Sequence, residues 1–148
     1  MEIRKVKKRD LRSLTQLFDQ YRVFYDKVSD LDKAEVFLKE RIKNKESEIY
    51  VAQSFSGDLA GFIQLYPLFS STQMKRLWLL NDLYVHPDFR GNGISKKLLE
   101  RAKDLCMETN SAGFMLETSK TNLIANSLYE SMGFHLDIAH NYYIWENE

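Results

Sequence analysis

A glycine-rich turn between an apolar run and an amphipathic segment constrains the fold of this chain more than any other feature. The run "LWLLNDLYV" ends at Val85, and "DFRGNGISKK" follows it from Asp88 to Lys97. The chain has only 6 glycines, yet Gly91 and Gly93 stand one residue apart in this turn. Because glycine lets other atoms approach the backbone closely, the pair predicts a strand-to-helix turn that exposes its amides.

The composition predicts one globular domain over residues 1–148 with no metal site. The length of 148 residues and the hydrophobic fraction of 44% suit a single domain with a substantial core. Lys+Arg and Asp+Glu balance at 21 each, so the net charge favours no nucleic-acid partner. One cysteine and 3 histidines allow no internal disulfide and give no metal-ligand spacing. No apolar stretch approaches the roughly 18 residues of a membrane span, and no signal peptide is evident, so we expect no membrane partner and a cytoplasmic location.

The first half of the chain has the pattern of a strand, two helices and an antiparallel meander. Residues 2–6 alternate as a short strand, and apolar residues recur at helical spacing from Leu11 to Tyr21 and again from Leu31 to Ile42. The segments "EIYVAQSF" and "LAGFIQLYPLF" predict a hairpin around the turn "SGD". The run "RLWLLNDLYV" adds a third strand to this meander.

The second half predicts a parallel crossover, which makes the fold class α/β. A helix from Gly93 to about Thr109 precedes the short strand "GFMLET", and the helix "NLIANSLYESM" ends at Gly133. Two further short strands are predicted at "FHLDIA" and "NYYIWE". The antiparallel start therefore joins a β-α-β-α unit at the glycine-rich turn.

The turn has the attributes of an anion site. A helix that begins at Gly93 offers unpaired amides and the positive end of its dipole, and Arg90, Lys96 and Lys97 add local positive charge. A P-loop would need GxxxxGK[ST], and a dinucleotide fingerprint would need a third glycine where Lys96 stands, so neither motif fits. The residues alone leave two explanations open: a phosphate site, or a turn whose glycines serve only the backbone angles.

Two motifs resemble one known family. The segment "NDLYVHPDFRGNGISKKLL" is similar to the acetyl-CoA signature of the GCN5-related N-acetyltransferase (GNAT) superfamily, Arg/Gln-x-x-Gly-x-Gly/Ala, with Arg90, Gly93 and Ser95 at its positions. Ser95 departs from the usual small residue. The segment "TNLIANSLYESMGF" resembles the family's second signature, an Asn-x-x-Ala helix that ends in Leu-Tyr and Gly-Phe. The resemblance implies a GNAT-like single domain, with a mixed, mostly antiparallel sheet, a central parallel and splayed strand pair, and about four helices.

The resemblance implies acetyl-CoA as the cosubstrate. Its pyrophosphate would lie on the amides of the turn, and its pantetheine arm would pair with the main chain of Leu83 and Val85 as an added strand. Asn122 would bind the same arm from the second motif. The implied cofactor-binding residues are Leu83, Tyr84, Val85, Arg90, Gly91, Asn92, Gly93, Ile94, Ser95, Lys96, Asn122, Asn126 and Tyr129.

The implied reaction is acetyl transfer to a primary amine by direct attack in a ternary complex. The acceptor would be a small amine, a polyamine or a lysine side chain. Such an amine, with a pKa of about 10.4, must lose a proton before attack, and the departing thiolate must gain one. Tyr129 matches the family's tyrosine that protonates the sulfur. Asp82 and Glu117 are the candidate bases, and for Asp82 we favour a relay through water.

Other interpretations of these residues stay open at this stage. Tyr129 also suits a packed aromatic, and Asp82 also suits a surface acid that orients the substrate. The aromatics that the resemblance places around an acceptor pocket are Tyr21, Phe24, Tyr25, Tyr142 and Tyr143. The alternative function is a non-catalytic module that binds coenzyme A or an acyl-CoA as a sensor, and a homodimer is left open.

Overall fold

The computed structural model describes residues 1–148, which divide into two compact units. The first unit, Met1–Glu117, contains a sheet and three α-helices, and the second, Thr118–Glu148, contains one α-helix and the C-terminal segment. None of these helices combines the length and the apolar character needed to cross a bilayer.

The order of elements follows the predicted one through the fourth helix. The first unit contains β1 (Glu2–Lys5), α1 (Leu11–Phe24), α2 (Leu31–Lys43), β2 (Glu48–Gln53), β3 (Leu59–Ser70), β4 (Lys75–Val85), α3 (Ile94–Glu108) and β5 (Phe114–Met115). The second unit contains α4 (Leu123–Ser131). Short 3-10 turns precede α1 and follow β4. The α/β class and the four helices are confirmed.

The five strands form one mixed sheet in the order β1-β2-β3-β4-β5. Neighbouring strands are antiparallel except β4 and β5, which are parallel and pair only at Trp78 with Phe114 and at Leu79 with Met115. This confirms the mostly antiparallel sheet with one parallel pair, but the predicted central position of that pair is wrong, because β4 and β5 lie at one end of the sheet. Because β5 stops so early, β4 has no strand partner on that edge from Leu80 to its end.

Helices pack on the sheet through the apolar stripes that the sequence predicts. Leu14 of α1 and Leu38 of α2 are fully buried in a cluster with Val51, Phe62 and Tyr84 of the sheet. The stripe of α3 is also buried, and α3 packs against β2, β3 and β4. These contacts fix the N-terminus of α3 beside the end of β4, where the glycine-rich turn joins them.

A buried ion pair ties the first strand to the first helix. Arg4 donates to both carboxylate oxygens of Asp10, at 2.7 Å and 2.9 Å, and the Lys7 amide donates to the same carboxylate at 2.7 Å. The hydrogen bond from Arg4 lowers the pKa of Asp10. Asp10 therefore links β1 to the start of α1.

The two C-terminal strands predicted at "FHLDIA" and "NYYIWE" are wrong. Residues 134–148 have no regular secondary structure, and no amide of residues 135–148 donates to a backbone carbonyl. Alternation of apolar and polar side chains indicates which face of a strand would be buried once the strand is paired. It does not show that a neighbouring strand is present to bond the backbone.

Candidate functional site

Both glycines of the turn have backbone angles that favour glycine. Gly91 has a φ of 79° and Gly93 a φ of 69°, in the left-handed region. A methyl group added to either residue would meet no atom within 4 Å. The angles account for the choice of glycine, and the open space beside the turn leaves its backbone accessible to a ligand.

The backbone amides of this turn have no acceptor in the chain. Gly93 is the N-cap of α3 without a side-chain cap, and the first hydrogen bond of the helix runs from the Lys97 amide to the Gly93 carbonyl, at 3.2 Å. The amides from Gly91 to Lys96 donate to no backbone carbonyl. Unpaired amides at the positive end of a 15-residue helix form a site for an anion.

The polar side chains of the turn bind the protein itself. The Asn92 side-chain amide donates to the carbonyls of Phe89, at 3.0 Å, and Arg90, at 3.3 Å. Arg90 Nε donates to the Val85 carbonyl at 3.0 Å, and its guanidinium lies 5.6 Å from the ring centroid of Tyr84. Arg90 and Asn92 thus hold the shape of the turn, and the backbone is its anion-facing part.

The free edge of β4 leads directly to this turn. The His86 amide donates to Ala60 on β3 at 2.8 Å. Because main-chain groups alternate along a strand, those of Leu83 and Val85 point to the opposite edge, which β5 leaves open. The Val85 carbonyl already accepts from Arg90, so the Val85 amide and the Leu83 main chain are the groups free to pair. An open strand edge beside an anion site fits a ligand that carries amides and a pyrophosphate, as coenzyme A does.

Asp82 is a buried carboxylate held by two amide side chains. Its exposed fraction is 3%, so the interpretation as a surface acid is wrong. Gln64 Nε2 donates to Asp82 Oδ2 at 2.5 Å, and Asn81 Nδ2 donates to Oδ1 at 3.1 Å. Burial raises the pKa of Asp82, and the hydrogen bonds from Gln64 and Asn81 oppose that rise.

Tyrosines from the C-terminal part of α1, from its C-cap and from β3 lie in the neighbourhood of this carboxylate. The Tyr21 hydroxyl donates to the Asn81 carbonyl at 3.0 Å. Burial and the charge of Asp82 raise the pKa of Tyr25, and the same two causes raise the pKa of Tyr66 to about 12. The phenols of both residues therefore stay protonated at neutral pH.

A shallow cleft of about 420 Å³ lies between α1 and the end of β4. Its lining residues are Asp19, Gln20, Val23, Phe24, Tyr84, His86, Pro87 and Arg90. Phe24 was predicted to border an acceptor pocket, and Tyr84 and Arg90 were predicted to bind the cofactor. Asp19, Gln20 and Val23 were not predicted to line it, although they lie within about a turn and a half of Phe24 on the same helix.

Gln64 is the most informative residue that the sequence analysis missed. It is fully buried on β3, and its Oε1 accepts from Ser47 Oγ at 2.8 Å. That bond leaves Nε2 directed at Asp82. A single amide inside the apolar run "GFIQLY" was the available signal, because a polar side chain in a buried strand needs a specific partner.

Glu117 has surroundings opposite to those of Asp82. It is exposed, follows β5 at the end of the first unit, and makes no hydrogen bond or ion pair. A carboxylate in such a position can reach a ligand directly, whereas Asp82 is reached only through its neighbours.

In the second unit, Asn122 and Asn126 organise the start of α4. Asn122 Oδ1 accepts from the Ala125 amide at 3.1 Å and is the N-cap. Asn126 Nδ2 donates to the carbonyls of Asn122, at 2.8 Å, and Ser119, at 3.0 Å. The Asn122 side chain thus caps the helix with its oxygen, and its amide nitrogen makes no hydrogen bond.

Tyr129 packs at the other end of α4. The Gly133 amide donates to Glu130, and the Phe134 amide donates to the Tyr129 carbonyl at 3.0 Å, which is the Schellman arrangement at a helix end. The Tyr129 ring lies 5.7 Å from the Phe134 ring, centroid to centroid. The Tyr129 side chain therefore packs against a residue that follows α4.

Comparison with known proteins identifies a consistent group of relatives. A family model described as "Acetyltransferase (GNAT) family" matches residues 11–134. The chain is 44% identical over 143 residues to the "Uncharacterized N-acetyltransferase YhfO" of Bacillus subtilis, which covers 97% of this chain and 95% of that protein.

Two solved structures extend the likeness to the fold. A crystal structure of a probable acetyltransferase has a TM-score of 0.95 at 38% identity and covers 100% of this chain and 99% of its own. A structure of AAC(6')-Iy in complex with the bisubstrate analog CoA-S-monomethyl-acetylneamine has a TM-score of 0.81 at 19% identity, over 99% of this chain and 98% of its own. At that identity the second likeness concerns the fold alone.

Proposed function

Because the chain belongs to the acetyltransferase (GNAT) family, whose members use acetyl-CoA, we propose that it acetylates a primary amine by direct attack within a ternary complex. The acceptor is a small amine, a polyamine or a lysine side chain. One observation carries the proposal: the unpaired amides of Gly91 to Lys96 lie at the end of the unpaired edge of β4. That combination suits both the anionic and the amide-bearing part of coenzyme A.

Binding of the cosubstrate rests on the backbone. The pyrophosphate accepts hydrogen bonds from amides of the turn, and the pantetheine amides pair with Leu83 and Val85 as an additional strand would. The amide nitrogen of Asn122 donates to the same arm. Side-chain charge has a smaller part, because Arg90 is engaged with the Val85 carbonyl.

Deprotonation of the acceptor depends on Asp82 through a relay. Asp82 is too deeply buried to touch an amine, so a proton reaches it by way of water and the polar groups around Asn81 and Tyr21. The pKa of Asp82 is raised and so lies closer to physiological pH, which makes the carboxylate a stronger base. Glu117, which is exposed, is the candidate for direct contact with the ammonium group.

The transfer step itself needs one acid. The neutral amine nitrogen forms a bond to the thioester carbonyl carbon, and the carbon–sulfur bond then breaks with its electron pair on sulfur. The nitrogen loses one proton to the water relay as the amide forms. The Tyr129 hydroxyl gives its proton to that thiolate and recovers one from solvent. The ring contact with Phe134 holds the phenol in place for this role.

Calorimetric titration tests whether the unpaired amides of the turn bind the pyrophosphate of acetyl-CoA. We expect saturable binding of acetyl-CoA, and binding of S-acetylpantetheine, which lacks the pyrophosphate, weaker by about tenfold or more, since charge-assisted hydrogen bonds to the amides are lost. Equal affinities for the two compounds would contradict a phosphate site at the turn. Binding without any amine-dependent release of coenzyme A would favour a sensor instead.

A further inference from the structure

A second cavity, of about 290 Å³, lies where the C-terminal end of α3 meets the sheet of the first unit. Pro67 of β3, Trp78 of β4 and Leu105 of α3 give it apolar walls. Trp78 stands near the start of β4, whereas the glycine-rich turn follows the end of that strand, so roughly 25 Å of strand separates the two sites. The cavity is therefore distinct from the candidate acetyl-CoA site, and its volume suits a small organic molecule.

The chain itself satisfies most of the polar side chains that line this cavity. The Ser47 hydroxyl donates to a side chain of β3 at 2.8 Å. Trp78 Nε1 donates to Thr109 Oγ1 at 3.0 Å, and that hydroxyl donates to a main-chain carbonyl at 2.7 Å. Glu48 is the one carboxylate of the lining, and Lys5 binds it at 2.6 Å. These groups are committed to the protein and offer little to a ligand.

Lys45 and Arg76 are the exceptions in the lining. Neither side chain donates a hydrogen bond or forms an ion pair within the chain. The Arg76 guanidinium lies 5.0 Å from the ring centroid of Phe69 and 5.3 Å from that of Trp78. The rings hold the guanidinium in place, but they supply no oxygen acceptor for its N–H groups. The donors that remain available in the cavity are therefore both cationic.

Arg76 differs in this respect from the other half-buried arginines of the chain. Each of those has a carboxylate partner, in the pairs Arg4 with Asp10 at 2.7 Å, Arg22 with Asp19 at 3.6 Å, Arg41 with Glu40 at 3.2 Å and Arg101 with Glu108 at 2.9 Å. A guanidinium that is withdrawn from water without such a partner loses hydration and gains no ion pair in return. An anion that the chain does not supply would complete the surroundings of Arg76.

We propose that this cavity binds a small organic carboxylate, with the carboxylate on Arg76 and Lys45 and the apolar body of the ligand against Trp78. The planar guanidinium matches the two oxygens of a carboxylate, and the Lys45 ammonium adds a second positive charge. Inorganic phosphate fits less well, because it would leave the apolar walls uncovered. The site is independent of the proposed acetyl transfer, and no covalent step is involved.

Nuclear magnetic resonance titration of the full chain with benzoate tests the site, with benzamide as an uncharged compound of the same shape. The chain has two tryptophans, and the variant Trp145→Phe leaves the indole N–H signal of Trp78 alone. We expect benzoate to shift that signal saturably, with a Kd of about 1 mM, and benzamide to bind about tenfold more weakly or less, since it lacks the charge that the two cations attract. Inorganic phosphate should bind more weakly than benzoate, because it has no apolar body.

Adjacent residues of β4 supply a matched control. Arg76→Met keeps an apolar stem on the two rings and should weaken benzoate binding by about tenfold or more. Lys75→Met removes the same charge from the opposite face of the sheet and should bind benzoate as the wild type does.

A second variant keeps the test decisive if Arg76→Met does not fold. Lys45 is exposed in the turn after α2, and Lys45→Met should weaken benzoate binding by about threefold. Equal shifts with benzoate and benzamide, tighter binding of phosphate than of benzoate, wild-type binding by Arg76→Met or Lys45→Met, or a loss of binding in Lys75→Met equal to that in Arg76→Met would each overturn the proposal.

Discussion

Gln64 Nε2 donates to Asp82 Oδ2 at 2.5 Å across the β3–β4 pair, and both side chains are buried. The two residues are direct partners in the sheet register, at the place where a bulge interrupts the pairing before Leu65. The extra residue on β4 is Asn81, whose side chain binds the same carboxylate. The bulge therefore places two amide donors on one carboxylate at the centre of the candidate site.

The first prediction concerns the pH dependence that Asp82 confers. The pKa of Asp82 is raised in the fold, so its basic form is lost as pH falls through a value above the ordinary 3.9 of an aspartate. We therefore expect kcat/KM to fall at acidic pH, which gives the pH profile an acid limb. Asp82→Asn should abolish this limb and lower kcat/KM at pH 7 by about 10²- to 10⁴-fold. Initial rates from pH 4 to 9 measure both.

Gln64 supplies the matched control for that limb. Its hydrogen bond lowers the pKa of Asp82, so Gln64→Met, which removes the donor and keeps the size, should shift the acid limb to higher pH. An acid limb at the same pH in wild type, Gln64→Met and Asp82→Asn would show that another group titrates.

The second prediction separates backbone strain from ligand binding at the turn. Gly93, with a φ of 69°, and Gly57, with a φ of 98° in the β2–β3 turn, both adopt left-handed angles. Substitution by alanine should cost each protein about 1–2 kcal/mol of stability. Only Gly93→Ala should weaken the binding of acetyl-CoA, which calorimetry measures at a temperature where both variants are folded. An equal loss of affinity in both would assign the effect to strain.

The third prediction concerns the two roles of Tyr129. Tyr129→Phe keeps the ring on Phe134 and removes the hydroxyl, so stability and acetyl-CoA affinity should hold while kcat falls by about 10- to 10⁴-fold. The deficit should shrink as pH rises, because a thiol of pKa about 8.5 then leaves as thiolate without a donor. Tyr129→Leu should in addition lower the melting temperature. Unchanged turnover of Tyr129→Phe from pH 6 to 9 would leave the residue with its packing role alone.

The fourth prediction concerns stability at low pH. The pKa of Asp10 is lowered by its bond with Arg4, so its contribution is complete above the unfolded-state pKa of about 3.9 and is lost as pH falls through the folded value. Removal of one partner leaves the other charge buried, and Asp10→Ala should cost about 3 kcal/mol at pH 7. Urea unfolding at pH 7 and pH 3 checks both statements. A difference between variant and wild type that is the same at both pH values would contradict the ion-pair assignment.

Much of the fold was predictable because local patterns carried it. Local sequence features specify the apolar stripes of α1, α2 and α3 and the backbone angles of the turn at Gly57. Each of these depends only on residues that are close together in the sequence. The prediction failed at residues 134–148, because alternation does not specify a partner strand.

The candidate site was predictable only in part. The glycines of the turn were evident from their spacing, since their role is local. The bond between Gln64 and Asp82 and the bulge at Asn81 both depend on the register between β3 and β4. Gln64 and Asp82 are 18 residues apart, and a single sequence does not specify which residues of two strands lie opposite each other. The burial of Asp82 follows from the same pairing, which is why a surface position was considered for it.

Release of free coenzyme A from acetyl-CoA tests the central claim most directly, when measured against a panel of polyamines, amino acids, aminoglycosides and lysine peptides. The account predicts that at least one primary amine stimulates thiol release, that mass spectrometry finds the acetyl group on that amine in equal amount, and that Asp82→Asn lowers the stimulated rate by about 10²- to 10⁴-fold. Saturable acetyl-CoA binding by calorimetry, together with no amine-dependent thiol release across the panel, would contradict catalysis and support a sensor of coenzyme A.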